Sequence, residues 1–242
     1  MRIALAVVIV VVVCVGLALL ARASDTATKF RVVAPGVEAA VSVVDDVTVL
    51  AWRIDLKKRS ARVVPASTTN GRQTVAEIAT AVGAIVATNA SFFDKDGAPM
   101  GLVVDDVGRH GAARQEWGAL IIDKAGARIV PGKRAASSSV GAFAVVQGVP
   151  RLLVDGAVVA GLKEQSFVRT AVCAEGSRLV LVVTRGAIDA AVFAAHLRDR
   201  LGCRFALNLD GGPSTQARVR TGNAADDVDV LGWGVPNALV VR

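Results

Sequence analysis

The stretch Asn208-Leu209-Asp210-Gly211-Gly212-Pro213-Ser214-Thr215 directly follows an apolar run, Phe205-Ala206-Leu207. An apolar run that ends in a polar pair and a double glycine is typical of a buried strand whose last residues lie at a sheet edge, where the backbone turns sharply. Open sheets bind ligands at such an edge. Asp, Gly, Pro and Ser are also ordinary turn formers, so a packed turn without a ligand is the alternative.

The residues before this stretch predict a strand, a helix and a second strand. Residues 178–183 form a predicted strand that is apolar after Arg178 and rich in β-branched side chains. Asp189 is a helix cap, Gly202 is a helix stop, and residues 203–209 form the next strand. Two strands joined through a helix imply a parallel pair with a right-handed crossover.

This order of elements predicts which residues meet. The strand that begins at Arg169 folds back as a hairpin, which puts Arg169 beside Thr184. Since Thr184 and Asp210 end parallel strands, Arg169 and Asp210 converge at one edge of the sheet. Cys173 and Cys203 then meet at the opposite edge, where an oxidising compartment would join them as a disulfide; two buried thiols are the alternative.

A second polar site lies further upstream. Thr74 and Glu77 have the spacing of a capping box, and Gly83 ends the predicted helix. The short apolar run 84–88 then leads to Asn89. A carboxamide at the end of a buried strand must find hydrogen-bond partners or face a ligand.

Asp94 is a candidate second carboxylate. It lies in Phe92-Phe93-Asp94-Lys95-Asp96-Gly97, where at least one aromatic ring is expected to pack and the last four residues form a common turn. That turn resembles a calcium loop only faintly. A divalent cation such as calcium therefore stays open as a cofactor, and no metal-binding residue is assigned.

The amino terminus reads as a targeting segment. Residues 3–20 are almost wholly apolar and precede Ala21-Arg22-Ala23, a small-x-small cleavage site. This pattern predicts a signal peptide at residues 1–23, with an uncleaved membrane anchor as the alternative. Residues 24–40 then lead into one domain at residues 41–242. A cleaved signal peptide and an uncleaved anchor would both place the domain outside the cytosol. The expected location is secreted, in the periplasm or on the outer face of a bacterial envelope.

The pattern of elements predicts an α+β fold, a single domain with a central mixed β-sheet flanked by at least two helices. The net charge of +7 comes from scattered basic residues rather than from a Lys/Arg block interleaved with aromatics. Nucleic acid is therefore not an expected partner, whereas phosphate-bearing glycans would be attracted. Membrane contact is expected only through an uncleaved leader.

The residues present exclude several mechanisms. The two histidines are His110 and His196, the second falls on the polar part of a predicted helix, and no His/Cys spacing indicates a zinc site. Gly212-Pro213-Ser214-Thr215-Gln216 is not the nucleophile elbow of a serine hydrolase, and no P-loop or dinucleotide fingerprint occurs. Carboxylates, amides and one well-placed arginine remain, and these residue types suit glycoside cleavage beside a phosphate.

Several short motifs, in the same order along the chain, resemble the phosphodiester glycosidase domain family. The stretch at 208–215 resembles its Asn-Leu-Asp-Gly-Gly-x-Ser signature, and the resemblance spans roughly residues 30–242. The other motifs are Asn89-Ala90-Ser91-Phe92-Phe93-Asp94, Gly97-Ala98-Pro99-Met100-Gly101-Leu102, Arg169-Thr170-Ala171 and Val235-Pro236-Asn237-Ala238-Leu239. The resemblance implies hydrolysis of a glycosyl 1-phosphodiester in an envelope or extracellular phosphoglycan.

In such a reaction a carboxylate attacks the anomeric carbon or activates water, and Asp210 is the first choice for that role. The departing phosphate is an anion, so Arg169 would stabilise its charge, with Asp94 as the second carboxylate. The residues expected to bind sugar or phosphate are Asn89, Asn208, Gly211, Gly212, Ser214, Thr215 and Thr170. The competing hypothesis is a non-catalytic protein that binds phosphoglycan or assists exopolysaccharide assembly.

Overall fold

The structure is a computed structural model that describes residues 28–68, 71–221, 224–229 and 232–242. The predicted leader at residues 1–23 lies outside the described residues. None of the helices in the described part of the chain is long and apolar enough to cross a membrane. Residues 31–40, which we expected to lead loosely into the domain, already form strands.

The described chain contains mostly strands, connected by three α-helices and two short 3-10 turns, Gly132–Arg134 and Gly212–Ser214. The helices are α1 (Val75–Ala81), α2 (Ala135–Ser138) and α3 (Ala190–Leu201). The strands are β1 (Arg31–Ala34), β2 (Val37–Val44), β3 (Val47–Asp55), β4 (Ala61–Pro65), β5 (Val86–Asn89), β6 (Val103–Val104), β7 (Arg109–His110), β8 (Gly118–Asp123), β9 (Gly126–Pro131), β10 (Ala144–Gly148), β11 (Arg151–Val154), β12 (Ala157–Val158), β13 (Ser166–Phe167), β14 (Thr170–Gly176), β15 (Arg178–Thr184), β16 (Ile188–Asp189), β17 (Ala206–Asn208), β18 (Gln216–Thr221), β19 (Ala224–Asp229) and β20 (Asn237–Val241).

The strands form a 13-stranded sheet, a five-stranded sheet in the order β19-β18-β5-β20-β4, and a two-stranded sheet of β13 and β16. Every pairing between the described strands is antiparallel. The predicted α+β fold is therefore confirmed only roughly. Helices do flank the sheets, but the fold is mostly β, and the expected mixed sheet is wrong.

Alternating side chains of β15 explain how the layers stack. Leu179, Leu181 and Val183 pack into the core between the two large sheets, while Val180 and Val182 pack beneath α3. Since successive residues of a strand point to opposite faces, a strand covered on both faces is apolar throughout. α1 covers the outer face of the five-stranded sheet in the same way.

The predicted parallel pair is partly right. β15 and β17 run in the same direction, but β14 lies between them and pairs antiparallel with both. The predicted residues still meet at each edge of the sheet although β14 lies between β15 and β17. This is because β14 directly follows Arg169 and pairs with β15 as a hairpin. At the far edge Cys173 and Cys203 form the predicted disulfide, with Cα atoms 5.8 Å apart.

Both predicted helix boundaries are confirmed. Thr74 caps α1 through a capping box with Glu77, and Asp189 caps α3 by accepting two backbone N–H groups. Gly202 ends α3 with φ +66°, a left-handed conformation that glycine adopts at low cost.

The sequence pattern predicts that His196 lies on the polar face of α3, and this prediction is wrong. The side chain is buried, and its Nε2 lies 2.9 Å from the hydroxyl of Ser42 on β2. The large sheet extends past β3 to β2, so α3 is covered over a wider arc than its own sequence pattern indicates.

Candidate active site

A cavity of about 590 Å³ opens where β14 begins and β17 ends. Asn208, Asp210, Gly211 and Gly212 line it together with Arg169. The predicted convergence of Arg169 with Asp210 is therefore present, and part of the stretch at 208–215 faces a cavity.

Backbone pairing places both key residues. The N–H of Arg169 donates to the hydroxyl of Thr184 at 2.9 Å, which holds Arg169 at the end of β15. On its other side, the N–H of Leu209 donates to the carbonyl of Thr170 at 2.9 Å, which brings the next residue, Asp210, to the same edge.

The guanidinium of Arg169 is buried among neutral acceptors. Its Nε donates to the carbonyl of Ile188 at 2.9 Å, Nη2 to the carbonyl of Gln165 at 2.5 Å, and Nη1 to Oδ1 of Asn208 at 3.4 Å. Burial lowers the pKa of Arg169, and the charge of Asp189 partly opposes that shift. A guanidinium has more N–H donors than these bonds use, so donors remain for a ligand.

No carboxylate of the described chain forms an ion pair with Arg169. The ion pairs of the described chain involve other residues, and Arg169 itself is only 6% exposed. Buried charges are normally paired or hydrogen-bonded by charged partners. The site is therefore suited to an anion supplied by a ligand.

Asp210 is the one carboxylate among the described residues that line the cavity. Its Oδ1 accepts the N–H of Gly211 at 2.9 Å, and its carboxylate also accepts the hydroxyl of Ser214. Burial raises the pKa of Asp210, and these two hydrogen bonds oppose the shift by favouring the charged form. Ser214 thus acts on Asp210 rather than lining the cavity itself.

Steric contacts and backbone conformation explain why positions 211 and 212 are both glycine. A Cβ on Gly211 would lie 2.7 Å from the carbonyl oxygen of Val168, too close for any side chain. Gly212 adopts φ +59°, a conformation that favours glycine, and its N–H donates to the same carbonyl at 2.7 Å. The pair lets the loop approach the residue preceding Arg169.

Asn89 and Thr170 support the site from beneath. Oδ1 of Asn89 accepts the hydroxyl of Thr170 at 2.7 Å and the N–H of Gln216 at 3.1 Å, while Nδ2 donates to the carbonyl of Asp210 at 2.7 Å. Both side chains are fully buried, as is Thr215, and none of the three lines the cavity. The expected substrate-binding role is therefore corrected: Asn89 and Thr170 position the loop that carries Asp210.

Asp94 is not brought to the cavity. Its Oδ1 accepts the N–H groups of Asp96 and Ala98, each at 2.9 Å, and so closes its own turn. The cavity includes Phe92 instead. Within the described residues, no three His, Cys, Asp or Glu side chains form a group that could hold a metal ion.

Sequence reasoning missed the segment 159–168, which forms one wall of the cavity and supplies the carbonyl of Gln165 to Arg169. It matches no motif, because it contributes a backbone carbonyl, apolar residues and the isolated polar residues Lys163 and Gln165. The contribution of Val149 to the site was also missed. Its carbonyl accepts Nδ2 of Asn208 at 3.0 Å, and the glycine at 148 is needed because a Cβ there would lie 2.1 Å from the carbonyl oxygen of Asn208.

Comparison with known proteins shows which family and which folds the chain is similar to. A family model described as phosphodiester glycosidase matches residues 82–242. The catalytic domain of zebrafish N-acetylglucosamine-1-phosphodiester alpha-N-acetylglucosaminidase, auto-inhibited by its pro-peptide, is similar with a TM-score of 0.71 and 18% identity, over 90% of this chain and 87% of that chain. A hypothetical protein from Synechocystis is similar with a TM-score of 0.60 and 18% identity, over 91% of this chain and 64% of that chain.

The two solved structures establish a shared fold. No curated protein matches the chain. The family model covers well over half of the sequence, from the residues before β5 to the carboxyl terminus, and it includes Arg169 and Asp210. The chain therefore belongs to the phosphodiester glycosidase family.

Proposed function

We propose that the protein is a secreted hydrolase that cleaves the glycosyl 1-phosphodiester bond of an envelope or extracellular phosphoglycan. The observation that carries the proposal is Arg169, a buried cation with neutral protein partners, beside the carboxylate of Asp210 in one cavity. The family membership agrees with this reaction class.

Each group has a defined task in the reaction. The carboxylate of Asp210 attacks the anomeric carbon or removes a proton from an attacking water. The bond between the anomeric carbon and the phosphate oxygen breaks, the phosphate keeps the electron pair, and a water oxygen finally takes its place on the sugar. Arg169 and Asn208 hold the phosphate as its charge develops.

One carboxylate among the described residues that line the cavity is compatible with this chemistry. A phosphate monoester is a stable leaving anion, so it needs charge stabilisation more than protonation by a second carboxylic acid. Arg169 provides that stabilisation from a desolvated position, where an electrostatic interaction is stronger than in water.

The disulfide between Cys173 and Cys203 supports an oxidising location, because such bonds persist mainly outside the cytosol. This agrees with the secretion predicted from the leader and with a periplasmic or envelope site of action. Sugar phosphates or phosphoglycans are the proposed partners.

The test is release of free sugar from a panel of sugar 1-phosphodiesters. Asp210→Asn should lower turnover by about a hundredfold to ten-thousandfold, and Arg169→Gln by about a hundredfold or more, with circular dichroism unchanged. Retained phosphoglycan binding without turnover by the unaltered protein would instead select the non-catalytic binding function.

A further inference from the structure

The cavity wall next to Arg169 combines several apolar residues with two polar ones, Lys163 and Gln165. The segment 159–168, which we call the wall segment, contributes side chains of Val159, Leu162, Phe167 and Val168 to it. We propose that the second ester of the bound phosphate is an apolar alcohol, such as an alkyl, prenyl or aryl group, rather than another sugar. This rests on the proposed function and selects among the substrates of that reaction.

The position of the wall segment relative to Arg169 carries the proposal. The carbonyl of Gln165 in this segment accepts Nη2 of Arg169 at 2.5 Å, and the N–H of Gly212 donates to the carbonyl of Val168. The segment therefore wraps the residue that binds the phosphate. A group esterified to that phosphate, on the side away from Asp210, would lie against this wall.

Phe167 is held at the mouth of the cavity although it is 52% exposed. Its strand β13 pairs with β16, where Phe167 is opposite Ile188, and the carbonyl of Ile188 accepts Nε of Arg169. The ring centroid of Phe167 lies 5.9 Å from Cζ of Arg169. The same backbone pairing thus places an exposed aromatic ring and the buried cation side by side.

The polar side chains of the wall segment that line the cavity are those of Lys163 and Gln165, and the remaining lining residues of the segment are apolar or glycine. Leu162 packs against the buried core beneath α3, and the side chains of Val159, Leu162 and Phe167 have no hydrogen-bonding atoms. Sugar hydroxyls pressed against Val159, Leu162 and Phe167 would lose water without gaining partners. An alkyl or aryl group would instead remove apolar surface from water.

The cavity is also large enough. Its volume of about 590 Å³ lies within the range of about 300–1,000 Å³ that is usual for pockets of drug-sized molecules. A sugar phosphate and an apolar substituent can therefore be accommodated together. The products are free sugar and the phosphate monoester of the apolar alcohol, with one water consumed.

The experiment uses the full chain and one sugar 1-phosphate esterified with methanol, butanol, octanol or a hexose. We expect kcat/KM to rise about threefold for each of the first few methylenes, in line with the transfer of a methylene from water, and the hexosyl ester to be no better than the methyl ester. Phe167→Ser should lower the octyl-to-methyl ratio about tenfold. Val140→Ser, an exposed valine that is 82% accessible and does not line the cavity, is the matched control and should leave the ratio unchanged.

Equal rates for methyl and octyl esters, or a preference for the hexosyl ester, would overturn the inference while leaving the proposed reaction standing. If no ester is hydrolysed, the proposed reaction is wrong. The affinities for octyl phosphate and methyl phosphate then test the apolar site. Calorimetry should show octyl phosphate binding at least tenfold more tightly than methyl phosphate, with the difference reduced in Phe167→Ser. Equal affinities would reject the apolar site.

Discussion

The Nδ2 of Asn89 donates a hydrogen bond of 2.7 Å to the backbone carbonyl of Asp210. Asn89 ends β5 in the five-stranded sheet, whereas Asp210 follows β17 in the 13-stranded sheet. One buried carboxamide therefore connects the two sheets at the point where the proposed catalytic carboxylate lies. The geometry of Asp210 depends on how the sheets stack.

Asn89→Ala should both destabilise the protein and impair turnover. It removes partners from Thr170, Gln216 and Asp210, and a buried polar group left without a partner costs about 1–3 kcal/mol. We expect a loss of that order in urea unfolding and at least a tenfold fall in kcat. Asn237→Ala is the control, because this buried amide bonds Ser91 and not Asp210; a fall in kcat as large as that of Asn89→Ala would contradict the positioning role.

The pH dependence of turnover should reflect Asp210. Its pKa is raised by burial, and the reaction needs the ionised carboxylate, so kcat/KM should fall on the acid side at a pH above the ordinary carboxyl value of 3.8. Ser214→Ala removes a hydrogen bond that lowers this pKa, so the acid limb should move to higher pH. A pH–rate profile that does not move in Ser214→Ala would show that this hydroxyl does not act on the reacting carboxylate.

Gly211→Ala should disrupt the loop. The new methyl group would lie 2.7 Å from the carbonyl oxygen of Val168, and relief of such overpacking typically costs about 1–3 kcal/mol. Thermal unfolding measures the loss of stability, and kcat measures the effect of the disrupted loop on turnover. Gly108→Ala is the matched control, since a Cβ there meets no atom within 4 Å, and equal behaviour of the two variants would argue against a steric requirement.

The disulfide should contribute to stability more than to turnover. It closes a separation of 30 residues, for which chain entropy gives a stabilisation of about 3–4 kcal/mol. The double variant Cys173→Ala/Cys203→Ala should therefore melt at a lower temperature while turning over substrate at 25 °C, because the bond lies at the opposite edge of the sheet from Asp210. An unchanged melting temperature would mean that the bond does not form in solution.

His196 should make stability depend on pH. Burial and the charge of Arg200 lower its pKa below 6.5, although Asp199 opposes the shift. The histidine of the unfolded chain then binds a proton more readily than His196 of the folded chain. Neutral His196 therefore contributes stability above pH 6.5, and this contribution is lost as the pH falls through the pKa of the folded state.

Urea unfolding between pH 7 and pH 5 tests this dependence. His196→Asn should flatten the decline in the free energy of unfolding over this pH range. An equally steep decline in His196→Asn would assign the dependence to other groups.

Local sequence determined the features that depend on near neighbours. The capping box at Thr74, the cap at Asp189 and the stop at Gly202 follow from hydrogen bonds and backbone angles within a few residues. The convergence of Arg169 and Asp210 was also predictable, because a hairpin and a same-direction strand pair fix which strand ends share an edge. The cysteine pair at the other edge follows from the same reasoning.

Tertiary structure decided what depends on distant segments. Insertion of β14 between β15 and β17, and the antiparallel pairing throughout the described strands, depend on which strand edges are free when the sheets assemble. The burial of His196 depends on β2, over 150 residues away in sequence. The wall segment binds Arg169 through the backbone carbonyl of Gln165, a group that every residue possesses, so residue type by itself carries no signal for it. The carboxamide of Asn89 was visible in the sequence, but its partners Thr170, Asp210 and Gln216 lie far away in sequence and follow only from the stacking of the sheets.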